Sequence, residues 1–427
     1  MKQTHAMSYI KGLIAKICEV LCGLLTRQHK AVFGCYKNKF ADNSKYLFLH
    51  WQLNGFMRAI WISADNQVLE QLNAKGYEAY HRWSLPGIYH SLTAKFYFYS
   101  SYVGDINRYT HGGAIKTNLW HGSPLKKIEF DIDQGPLYEV YHSQQPMQKW
   151  LKSVKYYQEY IKPDVMLCPS EQVQSLFTSA FKLTKSETLL CSNPRSDFYA
   201  CYPHRQTDLS KLFNGSYQKV ILYAPTWRDS GLTATQTNVS PYDAGFNWQA
   251  LSAQLQRNNQ LLLIRFHPNE AHLAKGLQSI ANIIDISERD DVYDVLKQID
   301  LLITDSSSLF IDVLPNNTPF RFYCFDNEQT ATQGVSSQRS HYDYAQSLPL
   351  ISDSDNRWRL TNFKQLQVCL DSDFTALSWQ EKQDYERLKR WFWDKQEKPS
   401  FNTLEQWITE TTSAKTTMVN RTYNTVR

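Results

Sequence analysis

Eight consecutive residues, Trp120-His121-Gly122-Ser123-Pro124-Leu125-Lys126-Lys127, carry the densest chemistry in the sequence. They follow an apolar run, Ala114 to Leu119, that reads as a buried strand. Gly122 and Pro124 force a turn at its end. An imidazole there can take a proton near neutral pH, and paired lysines suit an anionic substrate. His121 is therefore a candidate general base, and Ser123, Lys126 and Lys127 are candidate acceptor or phosphate contacts. A lone histidine after a strand is more often structural than catalytic. The second half of the chain raises the odds by repeating the pattern.

There, several predicted strands end in polar residues. Lys219–Ala224 runs into Pro225-Thr226-Trp227-Arg228-Asp229, and Leu261–Phe266 into His267-Pro268. Leu301–Thr304 runs into Asp305-Ser306-Ser307-Ser308, and Phe320–Phe325 into Asp326. Arg228 and Arg265, near neighbouring strand ends, suit bidentate bonds to a pyrophosphate; ion pairs with Asp229 or Glu270 are the structural alternative. His267 would bond phosphate or act as acid or base, against the alternative of a satisfied core histidine. Asp305 to Ser308 should open a helix running through Phe310 and Asp312. Ser and Asp cap helix amino ends, and the free N–H groups there favour an anion.

Such residues need a scaffold that brings strand ends together. The first half offers apolar runs at Tyr46–Trp51, Ala59–Ala64, Phe96–Ser101, Ala114–Trp120, Val165–Pro169 and Leu189–Cys191, with helical stretches such as Gln67–Lys75 and Gln145–Glu159 between them. Alternation of this kind predicts a parallel sheet covered by helices. The second half adds a short strand at Ile283–Ile286, and Tyr202–Gly215 reads as a linker. After about Asp353 the chain reads as helices, with a polar, frayed tail from about Thr411. At 427 residues, two domains are the default. Ligands in open α/β sheets bind beyond the carboxyl ends of the strands, where strand order reverses. The expected fold is α/β and GT-B-like, with two Rossmann-like domains facing a central cleft. The expected boundaries are 1–30 for an amphipathic helix, 31–205 and 206–390 for the domains, and 391–427 for a carboxyl-terminal helix and polar tail.

In that first segment, Ile10, Leu13, Ile14, Ile17, Val20, Leu21, Leu24 and Leu25 recur at spacings of three and four, which makes one apolar helical face. Residues 1–40 hold seven basic side chains (Lys2, Lys11, Lys16, Arg27, Lys30, Lys37, Lys39) against one acid, Glu19, so their charge of +6 exceeds the +5 of the whole chain. A basic amphipathic helix suits an anionic membrane surface; the alternative is a helix packed on the first domain with a solvated basic edge.

Composition narrows the classes further. The chain is 42% hydrophobic and 20% charged, as a globular protein is, and +5 is too small a charge to mark a nucleic-acid binder. Eight scattered cysteines form no Cys-x-x-Cys pair or zinc spacing, so they read as reduced core residues. No cleavable signal pattern and no apolar run of ~18 residues occurs. The phosphate loop Gly-x-x-x-x-Gly-Lys, the dinucleotide Gly-x-Gly-x-x-Gly, the Gly-x-Ser-x-Gly elbow and His-Glu-x-x-His are all missing. With no metal motif, the cofactor expectation is none, Mg2+ remaining open.

Taken together, Asn118 to Lys127, Tyr223 to Asp229, Arg265 to Pro268 and Thr304 to Ser308 with Asp312 resemble, in order and spacing, the CDP-glycerol glycerophosphotransferase family. That family includes wall teichoic acid primases and polymerases and related capsule polymerases. The resemblance runs from about Phe33 to about Ser352. It implies a GT-B-like fold, with 31–205 as the acceptor domain and 206–390 as the CDP-donor domain. It also implies phosphoryl transfer: an acceptor hydroxyl attacks the β-phosphorus of CDP-glycerol, and CMP leaves. By motif, His121 matches the proposed base. His267, Thr226, Arg228 and Arg265 match the donor side, Ser307 and Ser308 the phosphate-binding helix start, and Asp305 an acidic donor-side position. Asp312 and Asp326 would order loops.

Two departures stand out: Ser306 where members often carry Tyr, and Ser192-Asn193-Pro194-Arg195 where many have Gly-x-Pro-Arg. The implied partners are CDP-glycerol, a phosphoglycerol-bearing polymer or lipid-linked acceptor, and, through residues 1–30, an anionic membrane on its cytoplasmic face, with no nucleic acid. CDP-ribitol or another CDP-alditol is the first alternative. A nucleotide-sugar epimerase or glycosyltransferase on the same fold is the second.

Overall fold

The computed structural model describes residues 2–206, 208–213, 215–226, 242–243, 245–267, 270–277, 279–289, 291–305, 307–325, 344, 357–395 and 397–424. The chain divides into two compact units. One holds Met1–His121, Lys127–Pro203 and Trp393–Arg427; the other holds Gly122–Lys126 and His204–Phe392.

The first unit is built on seven strands: β1 (Gln28–Phe33), β2 (Ala59–Ser63), β3 (Ala79–His81), β4 (Ala94–Tyr99), β5 (Ile115–Asn118), β6 (Val165–Cys168) and β7 (Thr188–Leu190). Their order is β3-β2-β1-β4-β5-β6-β7, parallel throughout. β2 and β6 are buried at every residue, as a sheet covered on both faces requires. The run Tyr46–Trp51, expected as a strand, lies instead inside the helix Asp42–Asn54. Tyr46, Leu47, Phe48, His50 and Trp51 are all buried there, and the partly covered polar residues Asp42, Lys45 and Gln52 fall outside that run. A short apolar run does not distinguish a buried helix from a strand by periodicity. Two strands, β1 and β3, were not foreseen. In β1 the polar start hides the pattern: Lys30 is buried, with its Nζ 2.9 Å from His90 Nδ1.

The second unit repeats the plan with β8 (Lys219–Tyr223), β9 (Gln260–Ile264), β10 (Ile283–Asp285), β11 (Leu301–Thr304), β12 (Phe320–Tyr323) and β13 (Arg359–Leu360). The order is β10-β9-β8-β11-β12-β13, again parallel. Winding reverses between β1 and β4 in the first sheet and between β8 and β11 in the second. Those are the positions where Rossmann-like sheets open a crevice beyond their strand ends. One face of the second sheet packs into a core with Tyr242, Phe246, Leu251 and Leu255.

The amino-terminal helix, Lys2–Gly23, belongs to the first unit. It presents small residues inward: Ala15 and Cys22 are buried, and a Cβ on Gly12 would sit 1.7 Å from the Val154 carbonyl oxygen. Its large apolar residues point away. Ile10, Leu13, Ile14, Ile17 and Val20 are 47–70% exposed, so the face expected either to pack or to meet a membrane does not pack. Part of the counted charge turns inward. Arg27 donates to the carbonyls of Ser91, Ala94, Thr110 and Gly112, and Lys30 is buried.

The carboxyl-terminal segment continues as helix from Ser400 to Asn424, past the point where fraying was expected. It is anchored in the first unit. Glu405 Oε1 accepts from Trp51 Nε1 and Asn54 Nδ2, both at 3.0 Å, and Phe401 stacks on His50 at 3.8 Å. None of the eight cysteines is in a disulfide.

Candidate active site

β5 ends at Asn118, whose side chain immediately shapes the turn. Its Oδ1 accepts from Trp120 N at 2.9 Å, and its Nδ2 donates to Ser101 O at 3.0 Å. Trp120 then takes a left-handed backbone, φ 47°, and Gly122 follows at φ 147°. The first is costly for an aromatic residue, on the order of 1–3 kcal/mol, and persists only where surroundings over-determine it. Here they do. Asn43 Nδ2 donates to Leu119 O (3.0 Å) and Trp120 O (2.8 Å), and the indole meets Phe181 edge-on at 4.9 Å.

The next residue is His121. Arg195, only 2% exposed, donates from Nη1 to His121 O at 2.8 Å and to Asp42 Oδ1 at 2.6 Å. Its own amide reaches Asn43 Oδ1 at 3.2 Å. Thus the main chain of His121 is fixed by a buried guanidinium, while its side chain is exposed. The ring stacks on Trp120 at 4.4 Å and lies 6.5 Å from the ring of Tyr36. Its Nδ1 is 2.9 Å from Ser100 O at the end of β4. A carbonyl oxygen only accepts, so Nδ1 carries a proton, and in the neutral ring the lone pair is then on Nε2. That is the tautomer a general base needs.

The other residues expected beside His121 divide. Ser123 is buried and Lys126 exposed. Lys127 forms an ion pair with Asp133, and this bond holds the Asp133 carboxyl below its usual range.

In the second unit, Asp305 Oδ1 accepts from both the amide and the hydroxyl of Thr226, each at 2.8 Å. The bond joins the ends of β8 and β11, where winding reverses. Thr304 Oγ1 adds a bond to Ala224 O at 2.7 Å. Asp305 therefore ties two loops rather than capping a helix. The helix begins only at Leu309 and runs to Val313, and Ser307 Oγ accepts from Leu309 N at 3.2 Å. The helix expected to run through Phe310 and Asp312 does so, but it opens four residues later than Asp305 and passes into a 3-10 turn, Leu314–Asn316, where Pro315 has no N–H to continue the α ladder. Asp312 accepts from Tyr293 OH at 3.2 Å, a tie between the short helices Tyr293–Leu296 and Leu309–Val313.

Arg265, just past the end of β9, is half-buried. Its Nη1 donates to Arg289 O at 2.8 Å and Ile286 O at 3.3 Å, and burial pulls its pKa below the usual value against nearby Asp291, Tyr293 and Asp294. Glu270, named as an ion-pair alternative, accepts from Tyr242 OH at 2.7 Å. His267 is half-buried, and its carbonyl accepts from Glu270 N at 2.7 Å. Arg228 and Asp326 lie outside the described residues, as do Trp227, Asp229, Pro268 and Ser306. Among the described residues no group of three or more His, Cys, Asp or Glu could hold a metal ion.

Sequence reasoning missed Asn43, Asp42 and Arg195, which hold the His121 turn. The only signal was Pro194-Arg195, noted as a departure rather than as a buried cation.

Residues 18–349 match the model of the family described as CDP-glycerol:poly(glycerophosphate) glycerophosphotransferase. The chain belongs to this family. A teichoic acid poly(glycerol phosphate) polymerase of Bacillus spizizenii is 27% identical over 341 residues, 77% of this chain and 82% of that protein. A teichoic acid glycerol-phosphate transferase of Staphylococcus aureus is 28% identical over 54% of this chain and 56% of its own length. A teichoic acid ribitol-phosphate primase of Bacillus spizizenii is 23% identical over 76% of this chain and 81% of its own. Among solved structures, the wall teichoic acid polymerase TagF aligns with a TM-score of 0.70 at 18% identity, covering 96% of this chain and 98% of that one. The fold, two parallel-sheet α/β units with a helical carboxyl terminus, is thus TagF-like and GT-B-like.

Proposed function

We propose that this protein transfers glycerol phosphate from CDP-glycerol to a hydroxyl of a teichoic acid-type polymer or its lipid-linked primer, with release of CMP. His121 Nε2 takes the proton of the acceptor hydroxyl. The acceptor oxygen bonds to the β-phosphorus, the bond from that phosphorus to the bridging oxygen breaks, and CMP leaves with the bridging oxygen. Phosphoryl transfer asks a protein chiefly for positioning and for stabilisation of equatorial charge. In this reading the second unit binds the donor through the Thr226 and Ser307–Ser308 loops with Arg228 and His267. Arg265 acts by shaping the neighbouring loop. Ser123 and Lys126 contact the acceptor or its phosphates.

The observation that carries the reading is the fixed tautomer of an exposed His121 in a chain of this family. The test is CMP release with purified protein, comparing CDP-glycerol, CDP-ribitol and UDP-N-acetylglucosamine with and without a phosphoglycerol-primed lipid. Acceptor-dependent CMP from CDP-glycerol is expected. Release from CDP-ribitol alone, the reading favoured by the ribitol-phosphate primase among the relatives, would keep the mechanism and change the alditol. Turnover of the UDP-sugar alone would overturn the chemistry.

The same reading places the protein peripherally on the cytoplasmic face of the membrane. No helix among the described residues is long and apolar enough to cross one. What supports surface binding is the outward apolar face of Lys2–Gly23 more than its charge. In the same preparation, replacing Leu13, Ile17 and Leu21 by Ser should reduce sedimentation with anionic vesicles and leave turnover of a short soluble acceptor intact.

A further inference from the structure

The bond that sets the His121 tautomer does not end at Ser100. The carbonyl of Ser100 and the amide N–H of Ser101 are two ends of one peptide group. His121 Nδ1–H donates to that carbonyl at 2.9 Å, and the amide on the other side donates to Asp105 Oδ2 at 2.8 Å. Asp105 Oδ2 also accepts from Ser100 N (3.1 Å), and its Oδ1 accepts from Ser101 Oγ (2.9 Å). The carboxyl is buried. A negative charge beside the N–H end of a peptide polarises the group and makes its carbonyl a stronger acceptor, and hydrogen bonds in series reinforce one another at low dielectric.

We propose that Asp105 is a positioning residue for transfer, acting on His121 through the Ser100–Ser101 peptide. This rests on the reading of His121 as the base. As Nε2 takes the acceptor proton, the ring becomes a cation. The Nδ1–H bond to Ser100 O strengthens, and the carboxylate one peptide away supplies the countercharge. No proton reaches Asp105, and it touches no substrate.

The charge of Asp105 is retained at a cost. Burial pushes its pKa up to about 6, against three hydrogen bonds and the nearby His121, which lower it. A carboxyl kept only to fill its place would be better neutral. The charged or titratable groups around the pair are Arg82 (bonded to Asp105 O, with Arg108 acting on it in turn) and Tyr99 near the carboxyl, and Arg195, Asp42, Tyr36 and Lys37 near the His121 turn. Arg82 meets Asp105 at its main-chain oxygen and not at the carboxyl, and a guanidinium does not titrate in the range of an enzyme assay. The arginines therefore do not move the profile.

The test is Asp105→Asn in the full chain, assayed with CDP-glycerol and a lipid-linked acceptor. Asn preserves the shape: its oxygen still accepts from the two amides, and its NH2 faces the Ser101 hydroxyl. The expected result is a kcat about tenfold lower, equivalent to ~1.4 kcal/mol of transition-state stabilisation, with unchanged KM for CDP-glycerol and an acid limb moved to lower pH. Thermal unfolding at pH 8 should occur at the wild-type temperature or above, because the variant removes a buried charge. The gap should narrow as the pH falls below about 6 and close below the ordinary carboxyl value of 3.8, where Asp105 is neutral in both the folded and the unfolded chain. Ser101→Ala keeps the amide bond that carries the coupling and removes a donor that lowers the Asp105 pKa, so at pH 8, well above that value, it should stay within about twofold of wild type.

Wild-type kcat in Asp105→Asn overturns the proposal. So does a loss in which KM rises and the pH profile stays put, or a loss of equal depth in Ser101→Ala. Should Asp105→Asn not fold, the 15N spectrum of histidine-labelled wild type, with His121 assigned through His121→Gln, replaces it. A proton on Nδ1 that shifts as Asp105 titrates supports the relay; a proton on Nε2, or no such shift, overturns it. A failed base reading would be seen separately, as normal turnover in His121→Gln.

Discussion

The two units carry the same sheet, wound from the middle and reversing at β1/β4 and β8/β11, yet they treat their polar strand-end residues in opposite ways. In the first, a buried framework of Asn43, Arg195 and Asn118 spends its hydrogen bonds on the main chain of the His121 turn, and the imidazole is left exposed, its Nε2 bonded to none of the described residues. In the second, the named side chains are themselves the framework: Asp305 holds Thr226, Arg265 holds the carbonyls of Ile286 and Arg289, and Asp312 holds Tyr293. The difference follows from the chemistry each region is read to perform. A base must present one lone pair at a fixed place, which calls for a rigid turn. A phosphate site can be assembled from loop amides and hydroxyls, which calls for loops held in shape.

The sharpest way to break this contrast is at His121. His121→Gln should lower kcat by ~10²–10⁴-fold, the contribution of a well-placed general base, with CDP-glycerol binding retained because the donor is read to the other unit. Equilibrium binding of CDP-glycerol beside single-turnover CMP release checks both halves. A variant that transfers normally removes the base from the mechanism; one that loses donor binding removes the division of labour.

Next in size is the framework itself. Arg195 is 1% exposed at its side chain and pairs with Asp42, so Arg195→Met leaves a carboxylate without its cation in a largely buried place. Breaking such a pair from one side costs about 3–5 kcal/mol. Denaturant unfolding should show that loss, and kcat in the surviving folded protein should fall because the His121 carbonyl loses its donor. A stability unchanged within about 1 kcal/mol would mean the turn is held by Asn43 alone.

How much of this could be read from residues alone also differs between the regions. Periodicity and turn chemistry placed β2, β5, β6 and β8 to β12 within a residue or two, because continuous apolar runs ending in Gly, Pro, Ser or Asp are local signals. His121 was legible for the same reason: its neighbours in sequence are its turn. Arg195 and Asn43 were not, since they reach the turn from 74 and 77 residues away in sequence and resemble ordinary helix-start residues. The helix Asp42–Asn54 was misread as strand because its polar, partly covered residues Asp42, Lys45 and Gln52 flank the buried run Tyr46–Trp51, and a short apolar run shows no helical period of its own. Asp305 was legible as important but not in its role, because the bond to Thr226 depends on β8 and β11 being neighbours, which strand order alone decides.

That bond offers the finest test of the comparison. Thr226→Val keeps the shape and the amide bond to Asp305 and removes only the hydroxyl donor. One such hydrogen bond to a carboxylate is worth about 1.5–3 kcal/mol at most, and here the second donor to the same oxygen remains, so a stability loss of about 1 kcal/mol is expected. If the second unit works by holding loops in shape, this small loosening should raise KM for CDP-glycerol several-fold and leave kcat near wild type, since the base is untouched. If Thr226 instead bonds the transferring phosphoryl group, kcat should fall with KM little changed. A kcat loss would make the second unit resemble the first, with a side chain reserved for the reaction, and the contrast between a presented group and a held loop would then not apply at Thr226.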